Sequence, residues 1–284
     1  SVLSNGHALL IGLPGLAKTR IVNFLSVILG LDSKRVQFTP DLMPADILGS
    51  EILEDSTNSE KKFKFIKGPI FSKLLLADEI NRASPRTQSA LLQAMQEKKV
   101  TITGNNYLLP KPFHVLATQN PIDQEGTYPL PEAQLDRFMF HLNINYPSID
   151  EEVSIVNETT VGKKHNVEKV FSKESIISFQ DLVFRVPISD NVVNYAVKLA
   201  ASTRPNEDTG SEYVKKWVEW GAGPRASQYL VIGAKCHAAI NGKYSPDIED
   251  VQAVAEPILR HRLVRNYMAE AEGYTIGRIV KELM

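Results

Sequence analysis

Residues 8–19 read ALLIGLPGLAKT. The first four, Ala8–Ile11, form a continuous apolar run stopped by Gly12, the signature of a strand buried on both faces. From Lys18 the spacing turns helical: Ile21, Phe24, Leu25 and Ile28 share one face, Leu29 ends the pattern and Gly30 stops it. Between them stands GLPGLAKT, Gly12–Thr19, to be set against the phosphate-loop pattern G-x-x-x-x-G-K-[ST]. Ala17 replaces the last glycine, which costs backbone freedom but still allows close packing. Gly12, Gly15, Lys18 and Thr19 match. Glycines let the loop curl its N–H groups inward toward phosphate oxygens. The following helix adds unpaired N–H groups and the positive end of its dipole. In this reading Lys18 reaches the β- and γ-phosphates and the Thr19 hydroxyl coordinates magnesium. The candidate binding segment is Gly12, Leu13, Pro14, Gly15, Leu16, Ala17, Lys18, Thr19 and the next residue, Arg20. The bland alternative is an ordinary glycine-rich turn, which the Lys-Thr pair in a strand-to-helix context disfavours.

Working outward, Leu74–Glu79 reads LLLADE, a buried strand ending in two carboxylates. Open α/β sheets bind ligands beyond the carboxyl ends of their strands. There Asp78 would hold magnesium through water and Glu79 would orient and deprotonate an attacking water. Phosphoryl transfer asks mainly for positioning and charge stabilisation. Arg35–Thr39, Phe113–Thr118 and Phe138–Leu142 complete five strand candidates. The helical spacing of Leu91, Leu92 and Met95 predicts a helix over Pro85–Glu97. The alternation points to an α/β parallel sheet with helices on both faces. Two stretches interrupt it. Ser50–Lys67 is lysine-rich with Phe63 and Phe65 at period two, and Val100–Leu109 has Gly104-Asn105-Asn106 at its middle. Both read as hairpin arms.

Three further polar positions follow. Asn120 ends the strand FHVLATQN and would help Glu79 hold water if the two strands are neighbours; an Asn-Pro turn is the alternative. Arg137, in LDRF, could reach a neighbouring subunit's γ-phosphate, or pair with Asp136 or Asp123. Arg225, in GPRA, lies in the first turn of a helix, where the dipole disfavours a cation; that invites an external anion, against an ordinary exposed arginine.

The chain has 284 residues, which at about 150 per domain suggests about two domains. With 43% hydrophobic and 23% charged residues it is not a mostly disordered chain. The single cysteine, Cys236, excludes an intrachain disulfide framework and a multi-cysteine zinc site; its helical setting beside Ala234 and Ala238 reads as core. A formal charge of −1 argues against bulk electrostatic binding of nucleic acid. No apolar run approaches the roughly 18 residues of a membrane span, and no signal peptide is visible, so the expectation is a cytoplasmic protein. After Pro147 the pattern becomes helical: Ser172–Val183, Ser189–Ser202, Ala226–Asn241, Pro246–His261 and Thr275–Met284, with Ser245 expected as an N-cap. The predicted division is an α/β domain over 1–147 and a smaller all-helical one over 148–284.

Taken together, GLPGLAKT, LLLADEINRASPRTQSALLQAMQE, ATQNP, EGTYPLPEAQLDRF and GPRA closely resemble the MoxR branch of the AAA+ ATPases, from Gly6 to about Arg262. The resemblance implies a P-loop nucleotide-binding domain with a helical lid, ATP and Mg2+ as cofactors, and assembly into homo-oligomeric rings, typically hexamers. It implies that Gly12–Thr19 is the Walker A loop, Asp78-Glu79 the Walker B pair, Asn120 sensor 1, Arg137 a trans-acting arginine finger and Arg225 sensor 2. The arms correspond to the helix-2 insert and the pre-sensor-1 hairpin. Such proteins are chaperone-like ATPases, often working with von Willebrand factor A proteins. Members usually carry some tens of residues before the first strand, including adenine contacts; here Ser4–Gly6 directly precede it, so the preference for adenine rests on the family. The competing class is a DNA-acting motor of the helicase and chelatase branches. That would call for basic residues on the second arm. Lys98 and Lys99 precede it, but its expected tip is Gly104-Asn105-Asn106, which favours protein clients and disfavours nucleic acid.

Overall fold

The computed structural model describes the chain except residues 14, 17, 56–60, 122–125, 161–166 and 209, and the side chains of 55 and 62. In the first half, β1 (Ala8–Gly12), α1 (Lys18–Leu29), β2 (Ser33–Gln37) and α2 (Pro44–Leu48) lead into β3 (Gly49–Asp55) and β4 (Lys61–Lys67). Then come β5 (Leu74–Asp78), α3 (Pro85–Glu97), β6 (Lys99–Ile102), β7 (Asn105–Leu108), β8 (His114–Gln119), α4 (Glu132–Leu135) and β9 (Phe140–Ile144). The second half holds α5 (Ile149–Thr160), α6 (Lys173–Arg185), α7 (Asp190–Ser202), α8 (Glu212–Trp217), β10 (Val218–Trp220) and α9 (Pro224–Ile240). It closes with α10 (Ile248–Leu259), β11 (Val264–Arg265), α11 (Tyr267–Ala271) and α12 (Ile276–Leu283).

The central sheet is five-stranded, in the order β2-β5-β8-β1-β9. β5 pairs in parallel with β2 on one side and β8 on the other, with Gln37 opposite Asp78 and Ala77 opposite Ala117. Leu74, Leu75, Leu76 and Ala77 are fully or almost fully buried, as are Val115 and Ala117. This explains the unbroken apolar runs: a central strand covered on both faces has no solvent side to alternate toward. α1 and α3 span the expected residues. β2 lies two residues earlier than Arg35–Thr39, and β9 two later than Phe138–Leu142.

Both arms are antiparallel hairpins. β3 pairs with β4, with the connecting residues 56–60 outside the described part. β6 pairs with β7 through a two-residue turn at Thr103 and Gly104, both at positive φ (49° and 81°). That geometry follows the strand twist. The turn thus sits one residue earlier than the expected Gly104-Asn105-Asn106. The hairpins hold each other: the Phe65 and Tyr107 rings stack with centroids 4.1 Å apart, and Thr103 Oγ1 donates to Glu51 Oε2 at 2.7 Å.

By contact density the chain forms two compact units. The first comprises Leu9–Pro129 and Leu142–Ile176 and contains most of the sheet, both arms and α5. The second comprises Ser1–Ala8, Leu130–His141 and Ile177–Met284. The chain passes between them more often than one cut at Pro147 provides. Residues 130–141 join the helical unit and α5 joins the sheet unit.

The helical unit is built on a core that includes Leu199, Val214, Trp217, Leu230, Val251, Ile258 and Ile279, with the Tyr274 ring stacked on Trp217 at 4.0 Å. Each such aliphatic side chain, fully buried, contributes about 1.5–3 kcal/mol. It is not wholly helical: Val218–Trp220 pairs antiparallel with Val264–Arg265. The first strand of that ribbon, Val218–Trp220, falls in the gap between the expected helices Ser189–Ser202 and Ala226–Asn241. The start of α10 is also corrected. Asp247, not Ser245, is its N-cap, because Asp247 and Asp250 form a reciprocal capping box that Ser245 is too early to make.

Candidate functional site

In the sheet unit the phosphate-loop residues follow β1 directly. Gly12 is required by close approach: a Cβ there would lie 2.8 Å from the Ile144 carbonyl oxygen of β9. Gly15 sits at φ +84°, in the left-handed region, with open space where a Cβ would point. Pro14 and Ala17 lie outside the described residues. Gly12 and Leu13 line a cavity of about 320 Å³ with Pro121, Ile144 and Tyr146. Gly15 and Leu16 line a cleft of about 1000 Å³ with Tyr146, Asp150 and Ile155.

Lys18 opens α1 and is almost fully buried. Its Nζ donates to the Gly12 carbonyl at 2.6 Å and lies 3.5 Å from the Gln119 carbonyl at the end of β8. Burial pulls its pKa down, while the charges of Asp78 and Glu79 push it back up. The ammonium thus feels both carboxylates at the ends of the central strands. Thr19 follows in the first turn of α1. The Arg20 guanidinium lies over the Phe24 ring, 5.3 Å from its centroid, and not in the loop.

Asp78 ends β5 and Glu79 follows it. Asp78 Oδ1 accepts from Thr118 Oγ1 at 2.6 Å, and Oδ2 accepts from Arg35 Nε and Nη2 at 3.1 and 2.7 Å. Glu79 adopts φ 56°, ψ 51°, a left-handed conformation that costs a residue with a Cβ about 1 kcal/mol or more. Its N–H donates to Thr118 Oγ1 at 2.8 Å, so one hydroxyl serves both acidic residues. Glu79 Oε2 accepts from Gln37 Nε2 at 2.8 Å and from Arg82 Nη1 at 3.1 Å. Gln37 Oε1 in turn accepts from Arg35 Nη2 at 2.6 Å. Among the described residues Glu79 Oε1 takes no hydrogen bond.

Asn120 is buried at the end of β8, beside β5 as expected. Its carbonyl accepts from Asn81 Nδ2 at 3.3 Å. Lys18, Asp78, Glu79 and Asn120 therefore converge at one edge of the sheet. The sequence reading missed Arg35, Gln37, Thr118 and Arg82, which hold the two carboxylates. The available signal was Arg35 and Gln37 at period two on a strand, and Thr118 within ATQN.

Arg137 and Arg225 both belong to the helical unit. The alternative pairing of Arg137 with Asp136 is not formed. Asp136 instead takes Arg225 Nη1 on Oδ2 at 2.9 Å and Arg262 Nε on Oδ1 at 2.7 Å. Asp123, the other alternative partner, lies outside the described residues. Among the described residues the Arg137 guanidinium forms no ion pair; its carbonyl accepts from the Tyr229 hydroxyl at 3.4 Å.

Comparison with known proteins settles the family. Residues 7–140 match the model of the ATPase family associated with various cellular activities (AAA), and residues 211–283 match the AAA lid domain. The chain is 42% identical to Chaperone MoxR1 of Mycobacterium tuberculosis, over 95% of this chain and 71% of that protein. The chain belongs to the MoxR family of AAA ATPases. It is also 41% identical to the uncharacterized YeaC of Bacillus subtilis over its whole length and 85% of that protein. A solved structure from Cytophaga hutchinsonii, assigned as an ATPase, superposes with a TM-score of 0.89 at 42% identity, covering 99% of this chain and 85% of the other. In this MoxR-family ATPase Asp78, Glu79 and Lys18 lie at the sheet edge that the α/β topology reserves for ligands. No described helix is long and apolar enough to cross a membrane.

Proposed function

We propose that this chain is one subunit of a cytoplasmic, Mg-dependent ATPase ring, typically hexameric, that remodels or matures partner proteins. The observation that carries the reading is the arrangement around Glu79. Gln37 and Arg82 hold its carboxylate and Thr118 its backbone N–H, and Oε1, which takes no hydrogen bond among the described residues, is left to accept a proton from water. The residues fit a magnesium nucleotide. Thr19 and Asp78 supply the hard oxygen donors the ion prefers, and a carboxylate has about four acceptor positions, so contacts to Arg35 and Thr118 leave room for water-mediated coordination. Among the described residues no cluster of three or more metal-ligating side chains exists, so the remaining ligands would come from phosphate and water. Bound with ATP, magnesium neutralises charge on the β- and γ-phosphates.

Lys18 binds the phosphate chain, Glu79 takes the proton of the attacking water and Asn120 orients that water. Arg225 senses the phosphates. Arg137, with no ion pair among the described residues, serves a neighbouring subunit's γ-phosphate. Family membership and the chaperone relative support protein clients, and the family resemblance adds a von Willebrand factor A protein as a partner.

The test is hydrolysis and binding by purified variants. Glu79→Gln should bind ATP while turnover falls about 10²- to 10⁴-fold, the usual contribution of a general base. Lys18→Ala should abolish ATP binding by calorimetry. Wild-type turnover in Glu79→Gln, or unchanged affinity in Lys18→Ala, would overturn these assignments. A client pull-down with Glu79→Gln, held in the ATP state, should retain protein; retention of single-stranded DNA at physiological salt would instead favour a nucleic-acid motor.

A further inference from the structure

The carboxylate beside Arg137 is shared by two other arginines. Asp136 Oδ2 takes Arg225 from the first turn of α9, and Oδ1 takes Arg262 from just after α10. The Arg262 side chain is 2% exposed, so its charge is fully committed inside the unit. It also donates to the carbonyls of Asp136 and Phe138 at 2.9 and 2.6 Å, and its guanidinium lies 5.1 Å from the centre of the Tyr229 ring. Tyr229 stands one turn beyond Arg225 on the same face of α9. Its hydroxyl reaches the Arg137 carbonyl. Helix α9 therefore grips residues 136 and 137 at two successive turns, while Arg262 grips 136 and 138.

We propose that Asp136 is a positioning residue that ties Arg225 to the segment bearing Arg137, so that the two phosphate-directed arginines are presented as one cluster and move together. This rests on the reading that Arg137 and Arg225 address phosphates. A nucleotide engaged by one arginine thereby adjusts the aim of the other. Arg262 acts as the fixed counter-charge that holds Asp136 in place. Removing the tether misplaces guanidiniums without removing them.

The test uses full-length rings and steady-state ATP hydrolysis, with thermal unfolding followed in parallel. Asp136→Asn should lower kcat by up to about 100-fold, the scale of a misplacement of roughly 1 Å, with KM changed far less. Asp136→Glu should recover part of the loss. Adding Asp136→Asn to Arg225→Ala should cost little more than Arg225→Ala alone, since the tether is already gone. Because Asp136→Asn leaves buried Arg262 without its partner, the companion Asp136→Asn/Arg262→Gln removes both charges and should be comparably slow. Wild-type kcat in a folded form of either variant would overturn the proposal. So would single losses that multiply in Asp136→Asn/Arg225→Ala. If Arg137→Ala and Arg225→Ala themselves turn over normally, the phosphate reading fails beneath it. If those two are slow and the Asp136 variants fast, only the tether fails.

Discussion

Thr118 concentrates the residue-scale argument. Its hydroxyl is fully buried, donates to Asp78 and accepts the N–H of Glu79, whose backbone is held at positive φ. Thr118→Val keeps the shape and removes both bonds. A buried N–H and a carboxylate oxygen each lose a partner, so the variant should be less stable by about 1–3 kcal/mol in denaturant unfolding. It should also hydrolyse ATP more slowly, because the backbone of Glu79 loses one of the contacts that hold it. A variant with wild-type stability and kcat would mean that the left-handed turn is held by something else. The convergence of Lys18, Asp78 and Glu79 was legible in the sequence because the pattern sets them at a strand-to-helix turn and a strand end. Arg35, Gln37 and Thr118 were not, because their roles depend on β2, β5 and β8 being neighbours in a fixed register, and those strands are far apart in the chain.

Elements were read well wherever one period dominated. α1 and α3 span the expected residues because their apolar faces repeat cleanly and Gly30 and Ser84-Pro85 mark a stop and a start. α5 was not anticipated. None of its residues is buried, and Ile149, Val153 and Val156 are all half or more exposed, so it has no covered face to anchor a reading. The N-terminus of α10 went to Asp247 because a cap is decided by reciprocal hydrogen bonds and not by residue type alone. Asp250 completes that cap and also takes His237 Nδ1 at 2.6 Å and Lys243 Nζ at 3.1 Å, with its own side chain fully buried. Burial alone would raise its pKa. The hydrogen bonds from the Asp247 backbone, His237 and Lys243 outweigh this and hold it at about 2. The folded value lies below the unfolded one, so this contribution is complete above about pH 4 and is lost as pH falls through about 2. The shift corresponds to about 2 kcal/mol. Asp250→Asn should therefore lower the unfolding temperature of the helical unit at pH 7, and the gap to wild type should narrow steadily below pH 4. A gap that stays constant down to pH 2 would show that ionisation of Asp250 is not what stabilises the junction of α9 and α10.

At the scale of the whole molecule, length suggested about two domains, and by contact density the structure has two compact units. That residues 130–141 and 1–8 belong with the later helices was not legible, because such interleaving is set by long-range packing and leaves no composition shift at its borders. It places Arg137 and Arg225 in one unit and Lys18, Asp78 and Glu79 in the other. The proposed ring would give this division a use. Each interface can take a phosphate loop from one subunit and Arg137 from the next, a head-to-tail contact that closes by rotation. Consider Lys18→Ala and Arg137→Ala subunits, each inactive as a pure ring, mixed in equal amounts. An interface is competent when the loop comes from an Arg137→Ala subunit and the finger from a Lys18→Ala subunit. Random assembly of independent interfaces makes about one interface in four competent. The mixture should therefore recover up to about a quarter of wild-type turnover per subunit. Recovery should vary with mixing ratio and peak at equal amounts, since the competent fraction is the product of the two subunit fractions. If Arg137 served its own subunit, each site would contain one defect whatever the mixture, and recovery would be nil at every ratio. Absence of rescue in rings confirmed as mixed by mass spectrometry would thus assign Arg137 to its own subunit.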